Sequence, residues 1–185
     1  MTIASNLADI IENIEKSKDN ASCASTTIDL MAVTKGQGVT SVEEAIRLGI
    51  SSFGENRVQE AQEKYGQIRK KHPHIKLHLI GPLQTNKVKQ ALELFDVIQT
   101  LDRPKLAEAV SSLQPQVSSK ENTGEWRLKT KSYYIQINTG EEPQKAGIFP
   151  KEADEFIRYC RDDLKLSVTG LMCIPPAEDV PAPHF

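Results

Sequence analysis

The sequence is poor in the features that mark most specialised chains. Of its 185 residues three are cysteine, one is tryptophan and 5% are aromatic. Cys23, Cys160 and Cys173 are odd in number and far apart, with no CxxC pair and no histidine at metal-ligand spacing. They read as reduced cytosolic thiols, which excludes a disulfide scaffold and gives a structural metal nothing to bind. Neither sign of charge is in excess: 23 Lys and Arg stand against 25 Asp and Glu, for a formal charge of -2, with the two signs interspersed. That leaves no basic footprint for nucleic acid and no polybasic or amphipathic membrane signal, so neither is an expected partner. No apolar run approaches the ~20 residues of a membrane span, and MTIASNLADI lacks the charged-then-apolar order of a leader, so a cytoplasmic location is expected. GxGxxG, GxxxxGK[ST], GxSxG and HExxH are missing, as are paired carboxylates and an acidic cluster for Mg²⁺. Hydrolysis and phosphoryl transfer therefore have no residues to rest on.

What is present is the composition of one globular domain over residues 1–185, with 38% hydrophobic residues. A chain of this length buries roughly 70% of the surface its unfolded form exposes, enough for a core without staples. Leu7, Ile10, Ile11 and Ile14 recur at spacings of three and four behind Ser5, which predicts an amphipathic helix with Ser5 as its cap. The short apolar run from Ile28 to Thr34, stopped by Lys35 and two glycines, predicts a buried strand. Thr40 followed by Glu43 makes a capping box for the next helix, and Gly49 stands where that helix would turn left-handed and end.

The alternation then repeats: ISSF and a helix from about Glu55 to Lys71; Ile75 to Ile80 and QTNKVKQALELF; DVIQTL and RPKLAEAVSSL; Tyr133 to Asn138 and a helix from Lys151 to Arg161; and finally LSVTGLMCI. The polar stretch from Gln114 to Thr130 interrupts the pattern and reads as a mobile surface excursion. Six strands in parallel-type units fit either an open doubly wound sheet or a (β/α)8 barrel, and the missing nucleotide loops favour the barrel. Six strands do not close one, so the final strand–helix units are expected to be missing from this chain, which stops at PAEDVPAPHF.

Barrels carry their functional groups at the C-terminal ends of strands. That rule selects Lys35 after the first strand, Glu55, Asn56 and Arg57 after the second, His78 and the segment Gly81 to Lys87 around the third, Asp102 and Arg103 after the fourth, Asn138 to Gly140 after the fifth, and Met172 in the sixth. Lys35 is the sharpest of these. A lysine at the tip of an apolar strand, partly desolvated, has its charged form disfavoured and becomes a nucleophile for an aldehyde; a stem that snorkels to water is the plain alternative. His78 shares the parity of Lys76 and Ile80, which leaves open whether it faces the interior or the covering helices. Asn56 serves equally as a helix cap or a ligand donor.

Six strings in order, AVTKG around Lys35, FGENRVQE from Phe53, HLIGPLQTNK from His78, QTLDR ending at Arg103, QINTGEEPQKAGI from Gln136 and GLMCIP from Gly170, span nearly the whole chain. Together they resemble the single-domain pyridoxal 5'-phosphate-binding proteins related to the N-terminal barrel of alanine racemase, the pyridoxal phosphate homeostasis proteins. The resemblance implies a (β/α)8 barrel of the alanine racemase N-terminal type, in which Lys35 holds pyridoxal 5'-phosphate as an internal aldimine and Asn56, His78 and Met172 lie near the cofactor ring. Arg57 stands where the family's pattern has an aromatic residue. The Ser-Met-Gly-Met-Ser and Arg-Ile-Gly segments whose amides cradle the phosphate in the family are absent from these 185 residues.

The function expected on this basis is pyridoxal phosphate homeostasis: the cofactor is held without robust catalysis, with apo-forms of pyridoxal phosphate enzymes as the implied recipients and a monomer as the expected state. A racemase-like enzyme, with His78 or Tyr133 as the opposing base, is the alternative. A cofactor-free Schiff-base aldolase and a truncated paralogue that binds little complete the set. Racemisation needs a base on each face of the substrate carbon, and no counterpart of the second domain that helps supply one in alanine racemase is expected.

Overall fold

A computed structural model describes residues 2–20, 27–118 and 131–176. Helix α1 (Ile3–Asn20) leads to strand β1 (Met31–Val33), α2 (Val39–Arg47), β2 (Ser52–Glu55), α3 (Val58–Lys71) and β3 (Lys76–Leu79). A short 3-10 turn (Thr85–Lys87) enters α4 (Val88–Leu94), then come β4 (Val97–Leu101), α5 (Pro104–Ser118), β5 (Ser132–Ile137), α6 (Pro150–Arg158), a π-helical turn (Tyr159–Asp163) and β6 (Val168–Cys173).

The strands form one sheet in the order β1-β2-β3-β4-β5-β6, every neighbouring pair parallel. This order separates the two architectures left open by the sequence. A doubly wound sheet reverses direction at a switch point, whereas here each right-handed crossover steps one strand further the same way. Successive helices then fall on one face, which is how a (β/α)8 barrel is wound; the described residues contain six of its eight strand positions.

Period-two alternation divides each strand between the two faces. Phe53, Leu77, Leu79, Ile98, Tyr133 and Ile135 are all at most 1% exposed and form one core with Ala61, Tyr65 and Ile68 of α3, Ala91 and Leu92 of α4 and Leu106 and Val110 of α5. The opposite face carries Met31, Gly54, His78 and Gln136, in register with Ser52, His78, Val97 and Met172 respectively. At the N-terminal ends of the strands the polar contacts are structural. Arg69 of α3 pairs with Asp96, which also accepts the Leu77 amide at 2.8 Å, and Lys131 donates to the Phe95 carbonyl at 2.7 Å.

Several local expectations shift. The first strand is shorter than Ile28 to Thr34, because its ladder starts only where Met31 meets Ser52; Ile28 lies outside it, half exposed. Ser5 is inside α1 rather than its cap: Thr2 Oγ1 accepts the Ser5 amide at 3.1 Å while Ser5 Oγ accepts the Thr2 amide at 3.0 Å, so the capping box sits one turn earlier. Thr40 does not cap α2 either; Gly38 takes that position with no side-chain bond, and the helix begins at Val39. Gly49, at φ +93°, does end α2 left-handed. Glu55, expected in a helix, is the last residue of β2. Gln114 to Ser118 extend α5 instead of opening a loop, and the rest of that polar stretch, 119–130, lies outside the described residues.

Candidate functional site

Residues 34–36 leave β1 at the C-terminal end of the sheet, and helix α3 grips them. Lys64 of α3 is 7% exposed and its ammonium donates three hydrogen bonds: to the Thr34 carbonyl at 2.6 Å, to Glu55 Oε1 at 2.7 Å and to Glu60 Oε1 at 3.2 Å. Glu55 is fully buried and also accepts the Thr34 hydroxyl at 2.7 Å. Thr34 has a single hydroxyl proton and gives it to Glu55, so the Tyr65 hydroxyl is the donor in the 2.7 Å contact with Thr34 Oγ1. Burial drives the Tyr65 phenol well above its ordinary range, which keeps that proton in place. Glu60 accepts the Gly36 amide at 2.6 Å; that bond first, and Lys64 next, hold its carboxyl below the usual carboxylate range. Gly36 itself sits at φ +71°, left-handed backbone that a Cβ would strain.

The residue between these anchors is Lys35. Its side chain is exposed, and among the described residues it has no hydrogen bond or ion pair. The sequence rationale of a partly desolvated amine is therefore corrected. At β1, the edge strand of the described sheet, even Val33 of the inner face is 46% exposed, and nothing described packs over the lysine. Lys64, in contact with the residues around Lys35, has every proton of its amine committed, whereas among the described residues Lys35 has none committed.

Asn56 follows β2 and is approached by the next loop, since a Cβ on Gly81 would stand 2.3 Å from the Asn56 carbonyl oxygen. Its Oδ1 is buried and accepts no hydrogen bond among the described residues. His78 lies in β3, in register with Gly54 of β2, on the face away from the helices, which settles the parity question. The Gln99 amide nitrogen lies 2.9 Å from its Nδ1; with the amide so assigned, Gln99 donates, Nδ1 accepts and the proton resides on Nε2. Burial holds the imidazole below its ordinary range, hence neutral; Lys76 acts in the same direction and Asp96 against it. That leaves His78 Nε2–H as a buried donor with no partner among the described residues. Met172 shares the inner face but lies in β6, in register with Gln136 of β5, at the opposite edge of the sheet from Lys35.

The structure thus places Lys35, Asn56 and His78 on or just past three consecutive strands and Met172 five strands from the first. Tyr133 goes to the other face: it is fully buried among the helix-packed residues, its hydroxyl donates to Gln114 at 2.7 Å, and burial raises its pKa. Asn138 serves its own loop, donating to the Glu142 carbonyl at 2.8 Å and accepting the Glu142 amide at 3.2 Å. Arg103 pairs with Asp102 and donates to the Leu83 carbonyl at 2.9 Å. Two cavities open at this end of the sheet. One of about 270 Å³ is lined by Ile80, Gln136, Asn138 and Lys145 among others, and one of about 520 Å³ lies between Asn56, Arg57, Gln84, Lys87 and Arg103. Residues the sequence did not single out are Gln99, which fixes the His78 tautomer, and the pair Glu60 and Lys64. Only the Glu-to-Lys spacing of four on α3 could have drawn the eye to that pair.

Comparison with known proteins identifies the family and the fold. The family described as "Alanine racemase, N-terminal domain" matches residues 5–185. A pyridoxal phosphate homeostasis protein of Pasteurella multocida is 36% identical over 181 residues, 97% of this chain and 73% of the relative, and one of Haemophilus influenzae is 34% identical over 179 residues, 97% and 71%. Among solved structures, PipY of Synechococcus elongatus without PLP superposes with TM-score 0.75 at 30% identity, covering 98% of this chain and 74% of that one; PipY with PLP bound gives 0.75 at 26% identity with the same coverage. An alanine racemase of Clostridium difficile, at 15% identity and TM-score 0.62, shares the fold over 95% of this chain and 42% of its own.

Proposed function

We propose, from the premise that this chain belongs to the alanine racemase N-terminal domain family, that it is a pyridoxal 5'-phosphate-binding protein of the homeostasis type, holding the cofactor through Lys35 without robust turnover. The observation that carries this reading is the conjunction of the Lys35 amine with two buried polar atoms, Asn56 Oδ1 just past β2 and His78 Nε2 in β3, none of which has a partner among the described residues. Buried polar groups in native proteins are nearly always satisfied by protein, water or a ligand, and the closeness of these two to the Lys35 strand supports a ligand as their partner.

Those residues fit the cofactor. Pyridoxal phosphate supplies an aldehyde that condenses with a primary amine, a C=N bond forming as water leaves. Lys35 contributes the amine from a turn fixed on both sides. The neutral His78 offers the Nε2 proton to an acceptor, and Asn56 an amide. Arg57 and Lys87, with no ion pair among the described residues, line the cavity at the same end of the sheet and suit a phosphate dianion. Met172, at the far edge, is proposed as an apolar neighbour of the ring. Apo-enzymes as recipients and a cytoplasmic setting belong to the same proposal; no described helix is long and apolar enough to cross a membrane.

Proton placement supports the proposed absence of robust turnover. A base must present a lone pair to the substrate carbon. With the Gln99 amide assigned as above, His78 has its lone pair turned to Gln99 and its proton on the buried Nε2, and Tyr133 is on the helix side of the sheet. Neither candidate base of the racemase reading is poised to take a proton.

Incubation with pyridoxal phosphate, borohydride reduction and peptide mass mapping tests the proposal. A single pyridoxyl group on Lys35, lost in Lys35→Ala, is expected, with α-proton exchange of amino acids into deuterated water at background. Modification confined to Lys87, Lys145 or other exposed lysines, or equal labelling of Lys35→Ala, overturns it.

A further inference from the structure

The two peptide units that flank Lys35 are each held by a charged side chain of α3. The carbonyl of the Thr34–Lys35 peptide accepts the Lys64 ammonium, and the N–H of the Lys35–Gly36 peptide donates to the Glu60 carboxylate. The two holders are one turn apart on the helix and are joined to each other at 3.2 Å. The Lys64 end is anchored by the fully buried Glu55, while the Glu60 side chain remains 31% exposed. An exposed lysine beside a left-handed glycine would ordinarily sit on a loosely defined turn. Here the turn is fastened at both of its peptide bonds while the side chain between them has no partner among the described residues.

We propose that Glu60 and Lys64 are positioning residues for Lys35, forming a charged bracket that fixes the lysine's backbone so that its side chain leaves the turn in one direction, toward an aldehyde. The inference rests on the preceding reading of Lys35 and adds the residues that make it selective among the chain's lysines. Its physical content is preorganisation. An amine on a fixed backbone searches fewer conformations before it meets the carbonyl carbon, so both condensation rate and affinity gain without any new contact to the ligand. Lys64 cannot substitute for Lys35, because its three protons are already shared among Thr34, Glu55 and Glu60.

Glu60 is the end to perturb, since its partial exposure makes loss of the fold unlikely to mask the result. Glu60→Ala removes the acceptor, Glu60→Gln keeps an oxygen but no charge, and Glu63→Ala changes an exposed residue of the same helix that touches neither peptide. Two readouts are taken on the full chain: amide exchange at Gly36, which needs no ligand, and the rate of pyridoxal phosphate labelling at Lys35 relative to exposed Lys89 in the same sample.

In Glu60→Ala both should change by about tenfold, Gly36 exchanging faster and Lys35 labelling more slowly. That factor corresponds to ~1.4 kcal/mol, the lower end of what a hydrogen bond to a charged group contributes. Glu60→Gln should fall between, Glu63→Ala should match wild type, and β3 amides should keep their protection throughout. Unchanged Gly36 exchange in Glu60→Ala overturns the bracket. Faster exchange with an unchanged Lys35-to-Lys89 ratio shows a bracket that does not position and overturns the role. A wild-type protein that protects Gly36 yet takes no label at Lys35 refutes the functional reading, and the positioning role falls with it while the bracket itself stands.

Discussion

Replacing Lys64 by methionine keeps most of the side chain's apolar length but deletes its ammonium, and the cost can be worked out from the contacts around Glu55. That carboxylate is fully buried; without Lys64 it keeps the Thr34 hydroxyl as a donor, while its Oε2 is buried with no partner among the described residues. Removing one member of a buried ion pair costs about 3–5 kcal/mol, most of it the penalty of the charge left behind. For a domain whose whole stability is of order 5–15 kcal/mol this is a large share. With a urea slope of ~2 kcal/mol per molar, a loss of ~4 kcal/mol moves the unfolding midpoint down by ~2 M. The double variant Glu55→Gln, Lys64→Met removes both charges and should recover a good part of the loss, leaving a coupling of roughly 1–3 kcal/mol in the cycle. Urea titrations of the four proteins, followed by circular dichroism, measure all of this. A Lys64→Met midpoint within experimental error of wild type, or a double variant equal to the sum of the singles, would refute the account of Glu55 and Lys64 as an interdependent buried pair.

Two further outcomes follow from the site and its surroundings. His78 has its folded pKa depressed by burial, so the unfolded chain takes up a proton near its ordinary value of ~6.5 that the folded state resists; stability is full above that pH and declines as pH falls below it. Thermal denaturation between pH 7.5 and 5 should show this decline, and His78→Leu should flatten it; an unaltered acid limb would contradict the buried neutral imidazole. Gly81→Ala places a Cβ 2.3 Å from the Asn56 carbonyl oxygen and 2.7 Å from its Cα, both backbone, so the two loops must separate at a cost of ~1–3 kcal/mol. Calorimetry should read a lowered Tm, and spectral titration weaker pyridoxal phosphate binding.

The strand–helix alternation was legible because most strands are short segments with apolar residues at alternate or successive positions and each helix carries its own period, so the six strands fall close to where the sequence marks them. Element ends were less legible. Thr40 and Ser5 look like caps in isolation, but the helices start earlier, where strand registers and loop geometry place the chain. Lys35 and Asn56 could be selected by their place at strand ends alone. For His78 parity supplied two faces without saying which is which, and only the packing of α3, α4 and α5 onto one of them decides that. The bracket was hidden for a related reason. Thr34, Glu55 and Lys64 meet only when β1, β2 and α3 are assembled, and a glutamate in a strand or a lysine on a helix announces no partner by itself.

The monotonic progression of the sheet also bears on how the chain reaches this structure. Ala32 finds its register partner in Phe53, Phe53 in Leu77 and His78 in Val97, so every strand zips onto the one emitted just before it. A chain leaving the ribosome from its N-terminus can therefore dock each new strand–helix unit onto an existing edge, with no early segment waiting for a distant late one. The turn that bears Lys35 would be fastened as soon as the third helix emerges, well before the later half of the sheet has been synthesised.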